Sequence, residues 1–376
     1  MNPKETNAYA ILYQFKCDES RPSCKNCIRH SVECDLAQKP SEPSSSSRAN
    51  RGQSSTANTP SPVVGHHVEA PRDPLALNMV DLELLHNFST STCYTLSNNP
   101  TIRALWRLTV PKIALMYDFV MRGLLAVSAL HLAHFKPERK GYYVSHAMAH
   151  HSAALPVAAS IVSNLTPENS DAFYLFSAFT CYFAMSSPRK QGDLLFAGEE
   201  GVAEWIHLFR GTRAIISQSH ATLHQGALGP MFELGRRRAE LRDTNMSENE
   251  NLKDLTNYLL EADLDPDTLE VYSKTVDELR KSFITIYGRD VEDCEPMDAF
   301  IWIFRCPDLY LQYISQSEPI ALVILAYYSV LLKHLNSKWW MEGWGTHLIS
   351  RIYSKLDEHH RLKIWWPVQE LGWIPD

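Results

Sequence analysis

Four of the eight cysteines stand together as Cys17-x6-Cys24-x2-Cys27-x6-Cys34, inside eighteen residues of a 376-residue chain. Thiolates on a C-x2-C turn grip one Zn²⁺ at about 2.3 Å each, and two flanking cysteines can close a tetrahedron. Eight cysteines are few for a disulfide scaffold at this length, and a dense cluster in one short segment reads as metal ligation in a reducing compartment. The other four, Cys93, Cys181, Cys294 and Cys306, are scattered singly and read as small buried hydrophobes.

Other chemistry-bearing groups assemble into less. His146, His150 and His151 sit on an expected helix, but no acidic residue lies between His146 and His150 as an H-E-x-x-H site requires. They read as surface or packing histidines. The chain has no P-loop, no G-x-S-x-G and no dinucleotide fingerprint, so an enzyme is not expected. A net charge of −7 argues against a chain that coats nucleic acid over its whole surface, though not against a small local DNA-binding element.

Composition divides the chain into three zones that must carry these groups. Residues 1–36 hold the cysteine cluster. Residues 37–74, rich in Ser, Pro, Asn and Thr, bury too little apolar surface to offset their entropy and read as a disordered linker. Residues 75–376 read as a large helical domain, so the fold class is all-α. Leu82, Leu85 and His86 recur at helical spacing in a helix that Asp81 would open. Residues 119–134 are apolar on nearly every face, which predicts a central buried helix. An aromatic stripe, Phe173, Phe176, Phe179, Tyr182 and Phe183, marks a helix over 171–185, and helices are also expected over 199–217 and 319–335. The more polar residues 236–298 read as a surface loop or insertion, with Arg236 to Arg238 at a solvated helix end. The longest apolar run, Ile320 to Leu332, falls short of the roughly 20 residues that span a bilayer, and no signal peptide is apparent; a soluble, intracellular protein is expected.

Residues 16–35, KCDESRPSCKNCIRHSVECD, resemble the later part of a fungal binuclear zinc cluster, whose six cysteines follow C-x2-C-x6-C-x(5–12)-C-x2-C-x(6–8)-C and share two zinc ions. Cys17, Cys24, Cys27 and Cys34 match the third to sixth cysteines, and Pro22 matches the loop proline. The resemblance implies a nuclear, DNA-binding regulator of RNA polymerase II genes, with Cys17, Cys24, Cys27 and Cys34 on zinc and Lys16, Lys25 and Arg29 on DNA. The match begins abruptly at Lys16: the family's first C-x2-C pair would stand where this chain reads AYAILYQF, and the basic run of the reading helix is reduced to Lys16. One zinc ion or none is therefore expected, and weakened DNA affinity, since residues 1–36 balance five Lys/Arg against five Asp/Glu. An altered exon boundary or start site, or a genuine short form acting without DNA, would each explain the abrupt start.

Beyond the cluster, LELLHNFSTSTCYTLS (82–97), WRLTVPKIALMYDFVMRGLLAVSALHLA (106–133), EWIHLFRGTRAII (204–216), PIALVILAYYSVLLKHL (319–335) and WWMEGWGTHLISRIYSKL (339–356) resemble, in order, the regulatory domain of sterol uptake control proteins and related regulators. The resemblance implies an α-helical domain that binds a sterol or other apolar ligand, shuttles between cytoplasm and nucleus, and pairs as a homodimer. Phe173, Phe176, Phe179, Phe183, Trp339, Trp340 and Trp344 are the expected pocket walls, against the plainer reading that they fill the core. Sterol or secondary-metabolite genes are the expected targets. The competing expectation is a helical ligand-binding or protein-interaction regulator that does not itself bind DNA.

Overall fold

The computed structural model describes residues 78–375, apart from 163–164, 191, 199–200, 219, 245–249 and 289–293. The cysteine cluster and the expected linker lie outside the described residues. Among the described residues the protein is all-α, as expected, apart from one hairpin of two-residue strands. The helices before the hairpin are α1 Met79–Thr90, α2 Pro100–Ala104, α3 Val110–Met116, α4 Asp118–Phe135, α5 Lys140–Val162 and α6 Ser170–Ser186. The hairpin pairs β1 Ala197–Gly198 antiparallel with β2 Gly201–Val202. Next come α7 Glu204–Gln218, α8 His220–Gln225, α9 Gly229–Thr244, α10 Lys253–Glu261, α11 Pro266–Tyr287 and α12 Pro296–Arg305. The chain closes with α13 Asp308–Ser315, α14 Pro319–Leu332, α15 Trp344–Lys355, α16 Glu358–Lys363 and α17 Trp365–Leu371.

Two helices that are apolar all round organise the packing. In α4, Phe119, Val120 and every residue from Gly123 to Ala133 are buried, and α1, α3, α5 and α6 cover it. Gly123 sets how closely α6 approaches: a Cβ there would come within 3.2 Å of Phe176 Cδ2 and Phe179 Cβ. The polar groups of this buried helix are satisfied, as burial demands. Ser128 Oγ donates to the Leu84 carbonyl at 2.7 Å and accepts from Asn87 Nδ2 at 2.9 Å. The second centre is α14, buried at every residue from Ala321 to Leu332 and covered by α11, α13, α15, α16 and α17. No single helix among the described residues is long and apolar enough to cross a membrane.

Several expected elements are corrected. Helix α1 starts at Met79 rather than Asp81, because the Asn78 side chain caps it by accepting from Val80 N at 3.1 Å and Asp81 N at 3.3 Å. Its buried residues are Leu84 and Phe88, not the expected Leu82 and His86 face, because Asn87 on that side engages Ser128 of α4. Helix α7 begins at Glu204, later than expected, since Gly201 at φ +112° takes the chain through the hairpin first. The largest correction is residues 236–298, expected as a loop but carrying most of α9, all of α10 and α11, and the start of α12. Their polarity belongs to outer faces laced by pairs such as Arg237–Glu233 at 2.6 Å and Arg280–Asp277 at 2.7 Å. On the inner face of α11, Tyr272, Val276, Leu279, Phe283 and Ile286 follow steps of three and four and are buried.

One charge is held inside that layer. Arg242 is 1% exposed, and its Nη2 donates to Glu278 Oε2 at 2.6 Å and to the Glu278 carbonyl at 2.7 Å. Lys281 Nζ also pairs with Glu278 at 2.8 Å, so Arg242→Ala leaves that carboxylate a partner and should destabilise the fold by about 1–3 kcal/mol in urea unfolding, whereas an exposed change such as Arg237→Ala should cost under about 1 kcal/mol.

Stability should also depend on pH through two buried histidines. Burial, helped by neighbouring His134, pushes His131 down to about 4. Burial alone does the same to His151, whose ring stacks on Phe183 at 3.8 Å. Both folded values lie below the ordinary 6.5, so the unfolded chain takes up protons first as pH falls. The stabilisation is complete above about pH 6.5 and is lost progressively towards pH 4. Each histidine should cost about 1–2 kcal/mol at pH 5. The urea midpoint is therefore expected to drop between pH 7 and pH 5, and His151→Leu should remove part of that drop.

Candidate functional site

An apolar cavity lies beside α6, on the face turned away from α4. Helix α6 is apolar on two sides, so its aromatic stripe is really two stripes. Phe173, Phe176, Phe179 and Phe183 face the core. There Phe176 meets Phe119 edge-on at 5.6 Å, Phe179 packs on Phe88 at 5.9 Å and on Trp106 at 5.6 Å, and Phe183 lies on His151. Tyr174, Ala178, Cys181, Tyr182 and Met185 form the other stripe and line a cavity of about 140 Å³. Helices α7, α9 and α12 complete it with Trp205 and Phe209, Leu234 and Gly235, and Met297 and Phe300, and Trp340 closes it from the segment before α15.

Of the seven aromatics expected as pocket walls, the structure brings only Trp340 to this cavity. The four phenylalanines are core. Trp339 donates its indole N–H to Thr95 Oγ1 at 2.9 Å, and Trp344 donates its own to the Met185 carbonyl at 2.7 Å. Sequence reasoning missed Trp106, Tyr174, Trp205, Phe209 and Phe300. The signal that could have found Tyr174 was the second helical stripe at 174, 178, 181, 182 and 185, one step round α6 from the phenylalanines.

A polar wall borders the cavity. Glu295, just before Pro296 at the start of α12, accepts from Ser97 Oγ at 2.9 Å, Asn98 N at 3.0 Å and Asn99 N at 2.7 Å. Its own N–H donates to Asp298 Oδ2 at 2.9 Å, closing a capping box. Asp298 in turn accepts Arg238 Nε at 2.9 Å and pairs with Arg238 Nη2. Burial works against the Arg238 charge, but the Asp298 carboxylate outweighs it and holds the guanidinium above its ordinary value. Arg238 was expected at a solvated helix end; it sits instead in this buried pair because α12 packs its Asp298 inward. The cavity's thiol, Cys181, is pushed far up by burial, and no histidine lines the space. This chemistry suits binding rather than group transfer.

The described residues hold no group of three or more His, Cys, Asp or Glu placed for a metal ion. His150 pairs with Asp81 at 3.2 Å and His151 is packed as above. Cys93, Cys181, Cys294 and Cys306 are buried and form no disulfide among the described residues. Cys17, Cys24, Cys27 and Cys34, with Lys16, Lys25 and Arg29, lie outside the described residues. As a donor set, four sulfurs fit one tetrahedral Zn²⁺.

Residues 14–43 match the fungal Zn(2)-Cys(6) binuclear cluster domain, and residues 83–259 match the fungal specific transcription factor domain. This chain belongs to the fungal Zn(2)-Cys(6) transcription-factor family. A Zn(2)-C6 fungal-type transcription factor of Gibberella zeae is 24% identical across 96% of the chain and 82% of its own length. The Zn(2)-C6 fungal-type transcription factor afumD of Aspergillus fumigatus is 26% identical over 54% of the chain and 51% of its own length. Sterol uptake control protein 2 of Saccharomyces cerevisiae is 32% identical over 38% of the chain and 15% of its own length. In this family member the cavity straddles the matched region: Tyr174, Trp205 and Arg238 lie inside residues 83–259, whereas Glu295, Phe300 and Trp340 lie beyond it.

The two stripes of α6 should respond differently to truncation. Phe179→Ala is expected to cost about 3–5 kcal/mol, as for a large core side chain. Tyr174→Phe, which removes a hydroxyl that bonds to no described residue, should stay within about 0.5 kcal/mol of the parent. Urea midpoints measured side by side check this; equal losses would contradict the assignment of faces.

Proposed function

We propose that this protein is a nuclear regulator of RNA polymerase II genes whose cysteine cluster engages DNA and whose helical domain takes a regulatory ligand. The observation that carries the reading is the match to two family domains in one chain, the zinc cluster at 14–43 and the regulatory domain at 83–259. Cys17, Cys24, Cys27 and Cys34 would hold one Zn²⁺, which in such modules supplies folding energy. Lys16, Lys25 and Arg29 would contact phosphates. Control of sterol or secondary-metabolite genes, shuttling from the cytoplasm and pairing as a homodimer belong to the same reading. The sterol part of it is supported by a relative named for sterol uptake control.

The ligand would enter the cavity lined by Tyr174 and Trp340 rather than a pocket between the expected phenylalanines. At about 140 Å³ that space is below the roughly 300–1,000 Å³ of pockets that enclose drug-sized molecules, so in this conformation it excludes a whole sterol.

A second reading, a helical regulator that does not itself bind DNA, is favoured by the balance of five Lys/Arg and five Asp/Glu in residues 1–36. Gel shifts on CGG- and TCG-containing duplexes at varied salt separate the two. DNA binding through Lys16, Lys25 and Arg29 predicts a log–log salt slope of about −2.7, reduced by about 0.9 for each of the three replaced by Ala. No shifted band at low salt would favour the second reading. Atomic emission on the purified chain should find at most one zinc, lost in Cys27→Ser; two bound ions would contradict the four-sulfur site.

A further inference from the structure

The cavity beside α6 has a polarity that specifies its ligand. Its acidic and basic groups already satisfy one another: Glu295 accepts from Ser97, Asn98 and Asn99, and Arg238 is paired with Asp298. What is left over is a pair of neutral donors. Trp340 is 1% exposed, lines the cavity, and its indole Nε1–H has no acceptor among the described residues. An indole N–H can only donate, and a buried donor without a partner is costly, so the site lacks an acceptor. Tyr174 lines the same space, and its hydroxyl bonds to no described residue. Burial pushes that phenol up to about 12, so it keeps its proton and donates too. The remaining wall is largely apolar, with Trp106, Trp205, Phe209 and Phe300 among aliphatic and methionine side chains.

We infer that the cavity binds a compact, uncharged, largely apolar molecule carrying a carbonyl or similar acceptor oxygen, held by the indole N–H of Trp340 and the hydroxyl of Tyr174. An anion would meet the Glu295 carboxylate, with the guanidinium that lines the cavity, Arg238, engaged by Asp298 and that of Arg103 engaged by the Ser97 carbonyl. A cation would find the Glu295 oxygens already occupied by three donors. A plain hydrocarbon would leave both neutral donors unpaired. The inference rests on reading this cavity as the domain's ligand site, and it adds the chemistry of the ligand.

Gly235 provides a way to close the site without breaking the fold. It lies in α9 on the cavity wall, and a Cβ there meets nothing within 4 Å. Gly235→Leu therefore projects bulk into open space, and replacing a helical glycine favours the helix.

The test uses the full chain labelled with ¹⁵N at tryptophan, whose nine indole N–H signals include one identified as Trp340 by its loss in Trp340→Phe. Four probes of one shape are titrated: adamantan-2-one, adamantane, adamantane-1-carboxylate and adamantan-1-amine, with cyclohexanone as a smaller ketone. The expected result is a saturable shift of the Trp340 signal with a ketone. Hydrocarbon binding should be weaker by about fivefold to a hundredfold, the worth of two hydrogen bonds. The carboxylate and amine should be weaker still. Trp340→Phe, followed by tryptophan fluorescence, should narrow the gap between ketone and hydrocarbon affinities, the double variant Trp340→Phe/Tyr174→Phe should close it, and Gly235→Leu should abolish binding with the urea midpoint no lower than the parent's. Equal binding of hydrocarbon and ketone, preference for either charged probe, or no saturable shift with both ketones would overturn the inference. A reporter gene that ignores a bound ketone would remove the regulatory reading of the cavity while leaving its ligand chemistry supported.

Discussion

A helix that is apolar on every side has to be covered on every side, and this protein contains two of them. Helices α4 and α14 present no polar stripe to solvent, so each dictates a full coat of neighbours. The coat helices need only one apolar face for that duty and keep charge on the other, as α11 does. Aromatic contacts join the two centres: Tyr182 of α6 meets Trp340 at 4.9 Å, and Trp340 lies 6.2 Å from Phe300 of α12. The cavity lies along this join, where side chains coating one centre meet side chains coating the other.

That division explains what could be read from the sequence. The two central helices were legible because long apolar runs have no other home in a folded chain. The coat was harder. Residues 236–298 look like a loop by composition, since their ion pairs and their buried stripe at Tyr272, Val276, Leu279, Phe283 and Ile286 compete in any window average. Their helicity depends on tertiary contacts such as Arg242 with Glu278, which no local propensity contains. The site was less legible still. The aromatic richness of α6 was plain, but one step round the helix separates core from cavity, and only the position of α4 decides which stripe is which. Glu295 and Arg238, far apart in sequence, carried no local mark of meeting around Asp298.

The two matched domains answer different parts of the functional question. The zinc-cluster match at 14–43 joins the chain to DNA-binding regulators through four sulfurs whose spacing is its chemistry. The helical match at 83–259 covers about three-quarters of the cavity wall and stops short of Glu295 and Trp340. The proposed ligand chemistry thus draws on residues outside the matched segment.

The Glu295 carboxylate has a consequence for how the protein is made. It binds Ser97 across 198 residues of chain, and Asn99 across 196. At synthesis rates of roughly 5–20 residues per second, α6 leaves the ribosome about 5–20 s before α12 can reach it. Through that interval its second stripe, Tyr174 to Met185, has no cover from α12 or Trp340. Long-range closures of this kind are slow steps in folding, and here the closure leaves one aromatic face of α6 uncovered until the last third of the chain is made.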